Sequence, residues 1–149
     1  MNNYLPYKPG VLPSRSAPAA GDSIIVYVKG LPPYKDKNFS IRNQRHKIFI
    51  RFEMLREIAI ESMGGRAPYR GPVRLDLVMY GAGFEQNRGL LDYMGGIMDT
   101  LDGSHGQSFT YLPIVYEDDC QVCEGKSEFI KSKNEHYQIE ISFLYDMSM

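Results

Sequence analysis

The sequence has no Trp and only two Cys among its 149 residues, and its formal net charge is −1. No apolar stretch approaches the roughly 18 uninterrupted residues of a membrane span, which argues against a membrane partner. The opening residues, MNNYLPYKPGVLPSRS, lack the apolar core of a secretory leader, so a cytoplasmic setting is expected. Two Cys without a leader also exclude a disulfide scaffold. They form one C-x-x-C, Cys120-Gln121-Val122-Cys123, and only His46, His105 and His136 remain to complete a zinc site. No two of these make an H-x₃₋₅-H pair, and on a strand positions three apart face opposite sides, so the cysteines read as core or surface thiols. The glycine segments Gly81-Ala82-Gly83 and Gly95-Gly96 match neither a phosphate loop nor a dinucleotide fingerprint. No Ser-His-Asp or Cys-His order stands out.

The near-zero net charge conceals a division. Residues 1–74 carry 13 Lys and Arg against 5 acids, a balance of +8, whereas residues 75–149 carry 4 bases against 13 acids, a balance of −9. Such asymmetry points either to a polyanionic partner or to two halves that attract each other within one fold.

Length fits a single domain. Residues 1–21, with Pro6, Pro9, Pro13 and Pro18 and no acid, read as an extended arm ahead of a domain over 22–149. Ser23 to Lys29 (SIIVYVK) is β-branched and aromatic and predicts a strand, and Tyr34 to Arg42 predicts a polar, basic loop. Ile48, Phe52, Leu55, Ala59 and Met63 predict a helix from about Gln44 to Met63, capped by Ser40 or Asn43 and stopped by Gly64-Gly65. Val73 to Tyr80 alternates as a strand. Leu90 to Leu101 predicts a second helix with Leu91, Met94, Met98 and Leu101 on one stripe, although each interior glycine costs roughly 1 kcal/mol relative to Ala. Pro113 to Tyr116 reads as a short strand. Gln121 to Lys131 and His136 to Tyr145 read as a hairpin around Lys133-Asn134. The order β-α-β-α-β-β implies an α/β fold, a mixed sheet with helices packed on it.

Two clusters carry candidate chemistry. Arg42, Arg45, Lys47 and Arg51 crowd the N-terminal part of the first helix, where the helix dipole gives cations no support. Glu117-Asp118-Asp119 follows a short apolar segment. It reads either as a surface turn or as part of a Mg²⁺ site, with Asp92 the nearest further carboxylate by type.

Taken in order, these pieces resemble the RusA-type Holliday-junction resolvases over about Ser23 to Phe143. The most specific segment is Asp118-Asp119-Cys120-Gln121-Val122, where the family reads D-D-x-Q-V. Asp99-Thr100-Leu101 and the Gly30-Leu31-Pro32-Pro33 turn also fit. The resemblance implies a homodimeric, Mg²⁺-dependent endodeoxyribonuclease that cuts four-way DNA junctions in recombination and repair. Asp92, Asp118 and Asp119 are then the catalytic and metal-binding residues, and Arg42, Arg45, Lys47, Arg51, Arg88 and Lys126 the phosphate contacts. The chain departs from the family at the second helix entry, where D-x-D-N-x-x-K is expected. Gly89, Leu91 and Gly95 stand at its two Asp and its Lys, and Asp92 at its Asn. A junction-binding relative with an impaired metal site is the alternative, and an interaction domain whose charged halves merely pair is a third.

Overall fold

The computed structural model describes residues 12–34, 47–103 and 113–146. Strands β1 (Ser23–Lys29), β2 (Val73–Gly81), β3 (Val122–Lys131) and β4 (His136–Phe143) form one sheet, with helices α1 (Lys47–Met63) and α2 (Leu90–Leu101) and a 3-10 turn at Asp119–Gln121. The expected α/β class and the order β-α-β-α-β-β hold. No helix among the described residues is long and apolar enough to cross a membrane. The expected caps Ser40 and Asn43 lie outside the described residues.

Local apolar periodicity explains most of these elements. Val26 and Val28 of β1, Val73, Leu75, Leu77 and Met79 of β2, and Tyr137, Ile139, Ile141 and Phe143 of β4 are buried on one face of the sheet. The α1 stripe of Ile48, Phe52, Leu55, Ala59 and Met63 is buried against that face. Each such side chain removed from water contributes roughly 1.5–3 kcal/mol before entropy is counted. Both helices lie on this side, α1 over β1 and α2 against α1 and β3. On the opposite face the sheet leaves Ile25 and Tyr27 exposed. The stretch 12–21 is fastened to the body. Gly65 O accepts from the N–H groups of Ser14 (2.9 Å) and Arg15 (3.0 Å), and Gly21 N–H donates to Phe143 O.

Three expectations are corrected. First, β3 and β4 do not form a hairpin. The sheet order is β1-β4-β2-β3, with β2 parallel to β3 and antiparallel to β4, so β2 lies between the two strands. The β2-α2-β3 crossover returns β3 parallel to β2, and the short link 132–135 then steps over the end of β2, where Ser132 N–H donates to Gly81 O (2.8 Å). Burial decides the order. Cys123, Gly125 and Ser127 give β3 little apolar volume and suit it to an edge, whereas β4 supplies fully buried side chains to the centre.

Second, α2 buries Tyr93, Gly96, Ile97, Thr100 and Leu101, while Leu91 is 84 % exposed. Gly96 sets this rotation. A Cβ there would lie 2.4 Å from the Pro33 carbonyl oxygen, so only glycine admits the 33–34 backbone, whose Tyr34 ring meets Tyr93 edge-on at 5.9 Å. Leu91, Met94 and Met98 instead border an open groove of about 370 Å³ along β3.

Third, Pro113 to Tyr116 is not a strand. Ile114 and Val115 donate to Leu101 O at the end of α2, Val115 O accepts from Tyr69 N–H (2.8 Å), and one bridge joins Tyr69 and Tyr116. Its backbone bonds go to a helix end and a loop, which accounts for the burial of Ile114, Val115 and Tyr116 without a sheet.

Candidate functional site

The segment that follows Tyr116 is pinned by one amide. Gln121 Nε2 donates to the carbonyl oxygens of Tyr69 (2.7 Å) and Gly71 (2.9 Å), and Oε1 accepts from the N–H groups of Glu117 (2.8 Å) and Asp118 (3.0 Å). Two donors and two acceptor lone pairs are all that a primary amide offers, so Gln121 is saturated by this turn. Asp118 is exposed, and its Oδ1 accepts from Cys120 N–H at 2.9 Å, capping the 3-10 turn. Hydrogen bonds from the Cys120 backbone and then its thiol hold the Asp118 carboxyl below its ordinary range, and the same contact pushes the Cys120 thiol up.

Asp119 is placed differently. It is partly buried, and its Oδ1 is closed off from water with no hydrogen-bond partner. A buried acceptor in that condition costs free energy unless a donor or a cation reaches it. Tyr116 reports what lies nearby. Its hydroxyl donates to Met98 O at 3.2 Å, and its pKa is pushed up by burial first and then by the carboxylates of Asp119, Asp102 and Asp99. These acids gather where α2 ends, its last turn holds no basic residue, and the terminal carbonyls add partial negative charge.

Asp92 sits at the opposite end of α2. Its Oδ2 accepts from Gly89 N–H at 2.8 Å, closing the helix N-terminus. It precedes Met98 by six residues, roughly 9 Å along a helix rising 1.5 Å per residue, and is not among the carboxylates acting on Tyr116. Among the described residues no three His, Cys, Asp or Glu side chains converge as a metal group. Mg²⁺ usually draws only one or two carboxylates from the protein and keeps water and phosphate in its other positions. Asp119, with its partnerless buried oxygen, fits one such position, and Asp118 stands beside it on the same turn.

The expected phosphate contacts divide as well. Arg42 and Arg45 lie outside the described residues, and Lys47 is the first residue of α1. Arg51 turns inward and grips both oxygens of Glu85 (2.6 and 3.1 Å). Glu85 in turn accepts from the Tyr93 hydroxyl at 2.9 Å, and burial chiefly pushes the Tyr93 pKa up to about 12. Arg88 lies over the Tyr34 ring, 4.0 Å from its centre, on the approach to α2. Lys126 is exposed on β3, its N–H donating to Asp76 Oδ1. Arg70 stands beside the acidic turn, 3.3 Å from Glu117 and largely exposed.

Sequence reasoning gave no site role to Asp99, read only as a letter of the family's D-x-L, or to Asp102, Tyr116, Arg70 and Gln121. A signal for the first two was present, since acids in the last turn of a helix oppose its dipole and call for another reason. Gln121 was visible only as a letter of the D-D-x-Q-V motif. Compared with protein-family models and with curated proteins, the chain matches none.

Proposed function

We propose that this chain is a RusA-like, Mg²⁺-dependent endodeoxyribonuclease that acts as a homodimer on four-way DNA junctions, in a cytoplasmic setting. The observation that carries the reading is the Asp119 oxygen, buried without a partner on a turn that Gln121 pins at the acidic end of α2. The charge division supports it, because a basic N-terminal half suits a phosphate backbone while a carboxylate turn suits a cation.

In this reading Asp119, with Asp118, holds the ion, and Gln121 keeps both at a constant height above Tyr69 and Gly71. Held by Asp119 and Asp118, Mg²⁺ would lower the pKa of a bound water and would offset the charge that develops on the scissile phosphate. Arg70 and Lys126, with the basic stretch from Arg42 to Lys47, bind the backbone of the DNA, and Arg88 does so from the N-terminal end of α2. Asp92 maintains that end of the helix.

A second reading, binding without cleavage, is favoured by one observation: no third carboxylate joins the pair among the described residues. Binding and cleavage of one fixed four-way junction, followed together in Mg²⁺, Mn²⁺ and EDTA, test both. Symmetrically paired nicks in Mg²⁺ and none in EDTA are expected, with binding that weakens steeply as salt rises. Salt-sensitive binding with no nick under any metal would establish the second reading. Absence of binding at low salt would overturn both.

A further inference from the structure

The two edges of the sheet are built differently. β3 carries Glu124, Lys126, Glu128 and Lys131, and its pairing with β2 shifts register beside Arg74. Charges and irregularity of this kind are how natural sheets guard an edge against pairing with another chain. β1 has neither. It pairs only with β4, and among the described residues nothing pairs with its other side. Its sequence, SIIVYVK, is β-branched or aromatic throughout its interior, with the single charge at its end. On the uncovered face Ile25 is 60 % exposed and Tyr27 51 % exposed, an apolar pair where solvent-facing polar residues are usual.

We propose that β1 is the self-association edge of this protein, pairing antiparallel with β1 of a second copy about a two-fold axis through Val26. That register sets Ile25 of one copy opposite Tyr27 of the other, twice. It therefore brings each exposed side chain into an aromatic–aliphatic cross-strand pair, of the kind that stabilises sheets. It also sets Ile24 against Val28 on the inner face and Ser23 against Lys29 at the ends, so no like charges meet. In this register each copy gives the other's edge the neighbours it lacks, Tyr27 for Ile25 and the uncharged Ser23 for Lys29, and that match commits the edge to a second copy.

The assembly also terminates. Joining two β1 edges yields one sheet in the order β3-β2-β4-β1-β1-β4-β2-β3, whose outer edges are both the guarded β3. The contact therefore closes at two copies and does not extend into a fibre. The homodimer of the proposed function thereby gains an interface. Strand chemistry alone carries it, and its test uses neither DNA nor metal: a wild-type monomer would remove the homodimer of the proposed function as well, whereas a dimer indifferent to the β1 substitutions would overturn this interface and leave that function standing.

Sedimentation equilibrium of the full chain is expected to give twice its 17.0 kDa mass. Ile25→Lys and Tyr27→Lys, both on the exposed face, are expected to return it to the single-chain mass while circular dichroism stays unchanged. For the register, Ile25→Cys and Tyr27→Cys are made separately in a chain also carrying Cys120→Ser and Cys123→Ser. Under diamide the mixture of the two proteins is expected to form a covalent dimer, and each protein alone is not. A wild-type monomer, a dimer indifferent to both Lys substitutions, or crosslinking by either Cys protein alone would overturn the proposal.

Discussion

Asp119→Asn is expected to lower junction cleavage by roughly 100-fold or more, equivalent to about 3 kcal/mol of transition-state stabilisation, while junction binding holds within a few-fold. The asparagine keeps the shape of the side chain and removes the charge that the metal needs. The same substitution is expected to raise the stability of the metal-free protein, by about 0.5–2 kcal/mol. It neutralises a carboxylate whose Oδ1 is buried without a partner and which shares the surroundings of Tyr116 with Asp99 and Asp102. Lower activity with higher stability is the signature of a residue kept for chemistry rather than for folding. Asp92→Asn supplies the contrast, because it retains an acceptor for the Gly89 N–H and lies at the other end of α2. Cleavage assays and thermal melts on the two variants measure both effects. Loss of stability in Asp119→Asn, with cleavage intact, would show that the acid serves the fold.

The second large effect runs against helix propensity. Gly96→Ala should stabilise an isolated helix by about 1 kcal/mol. In this protein the added methyl would meet the Pro33 carbonyl oxygen at 2.4 Å and the Tyr34 Cα at 2.6 Å. Both contacts are backbone and cannot rotate away, so α2 must leave the 33–34 segment. A net loss of roughly 1–3 kcal/mol is expected, as for other overpacked cores, lowering the melting temperature by several degrees. Gly95→Ala, one residue away and not among the residues that α2 buries, keeps the propensity gain and is expected to be neutral or stabilising. Equal effects at the two positions in thermal melts would refute the close approach.

The same glycine marks how far the fold was legible. β1, the α1 stripe, β2 and the alternation of β4 could be read directly, because the residues that set the local period are the residues that the core buries. The face of α2 could not, because Leu91, Met94 and Met98 are as apolar as Tyr93 and Ile97. What chooses between them is a contact with Pro33, more than fifty positions earlier in the chain. The supposed hairpin failed for a related reason. Lys133-Asn134 does reverse the chain, but whether β2 lies between the two strands depends on the β2-α2-β3 crossover and on the small inward residues of β3. The Pro113–Tyr116 segment had an apolar run without a strand's partners.

Of the candidate site, the turn was legible and its surroundings were not. Asp118, Asp119 and Gln121 stand together in sequence, and the structure shows why that spacing works: the amide three positions after Asp118 reaches back to its N–H while it binds Tyr69 and Gly71. Asp92 was the nearest acid by type, but its carboxylate closes the start of α2. Asp99 and Asp102, about two and three turns further on, come to Tyr116 only because the 113–116 segment is tied to the end of that helix.

The location of the metal tests the account most directly. In a ¹⁵N-labelled sample without DNA, Mg²⁺ titration followed by trace Mn²⁺ reports, amide by amide, which residues lie near the ion. The account predicts that shifts and paramagnetic broadening centre on the Asp118–Gln121 turn and reach the last turn of α2, and that Asp119→Asn abolishes them. Broadening centred on Gly89 to Asp92, or none at metal concentrations that support cleavage, would contradict it.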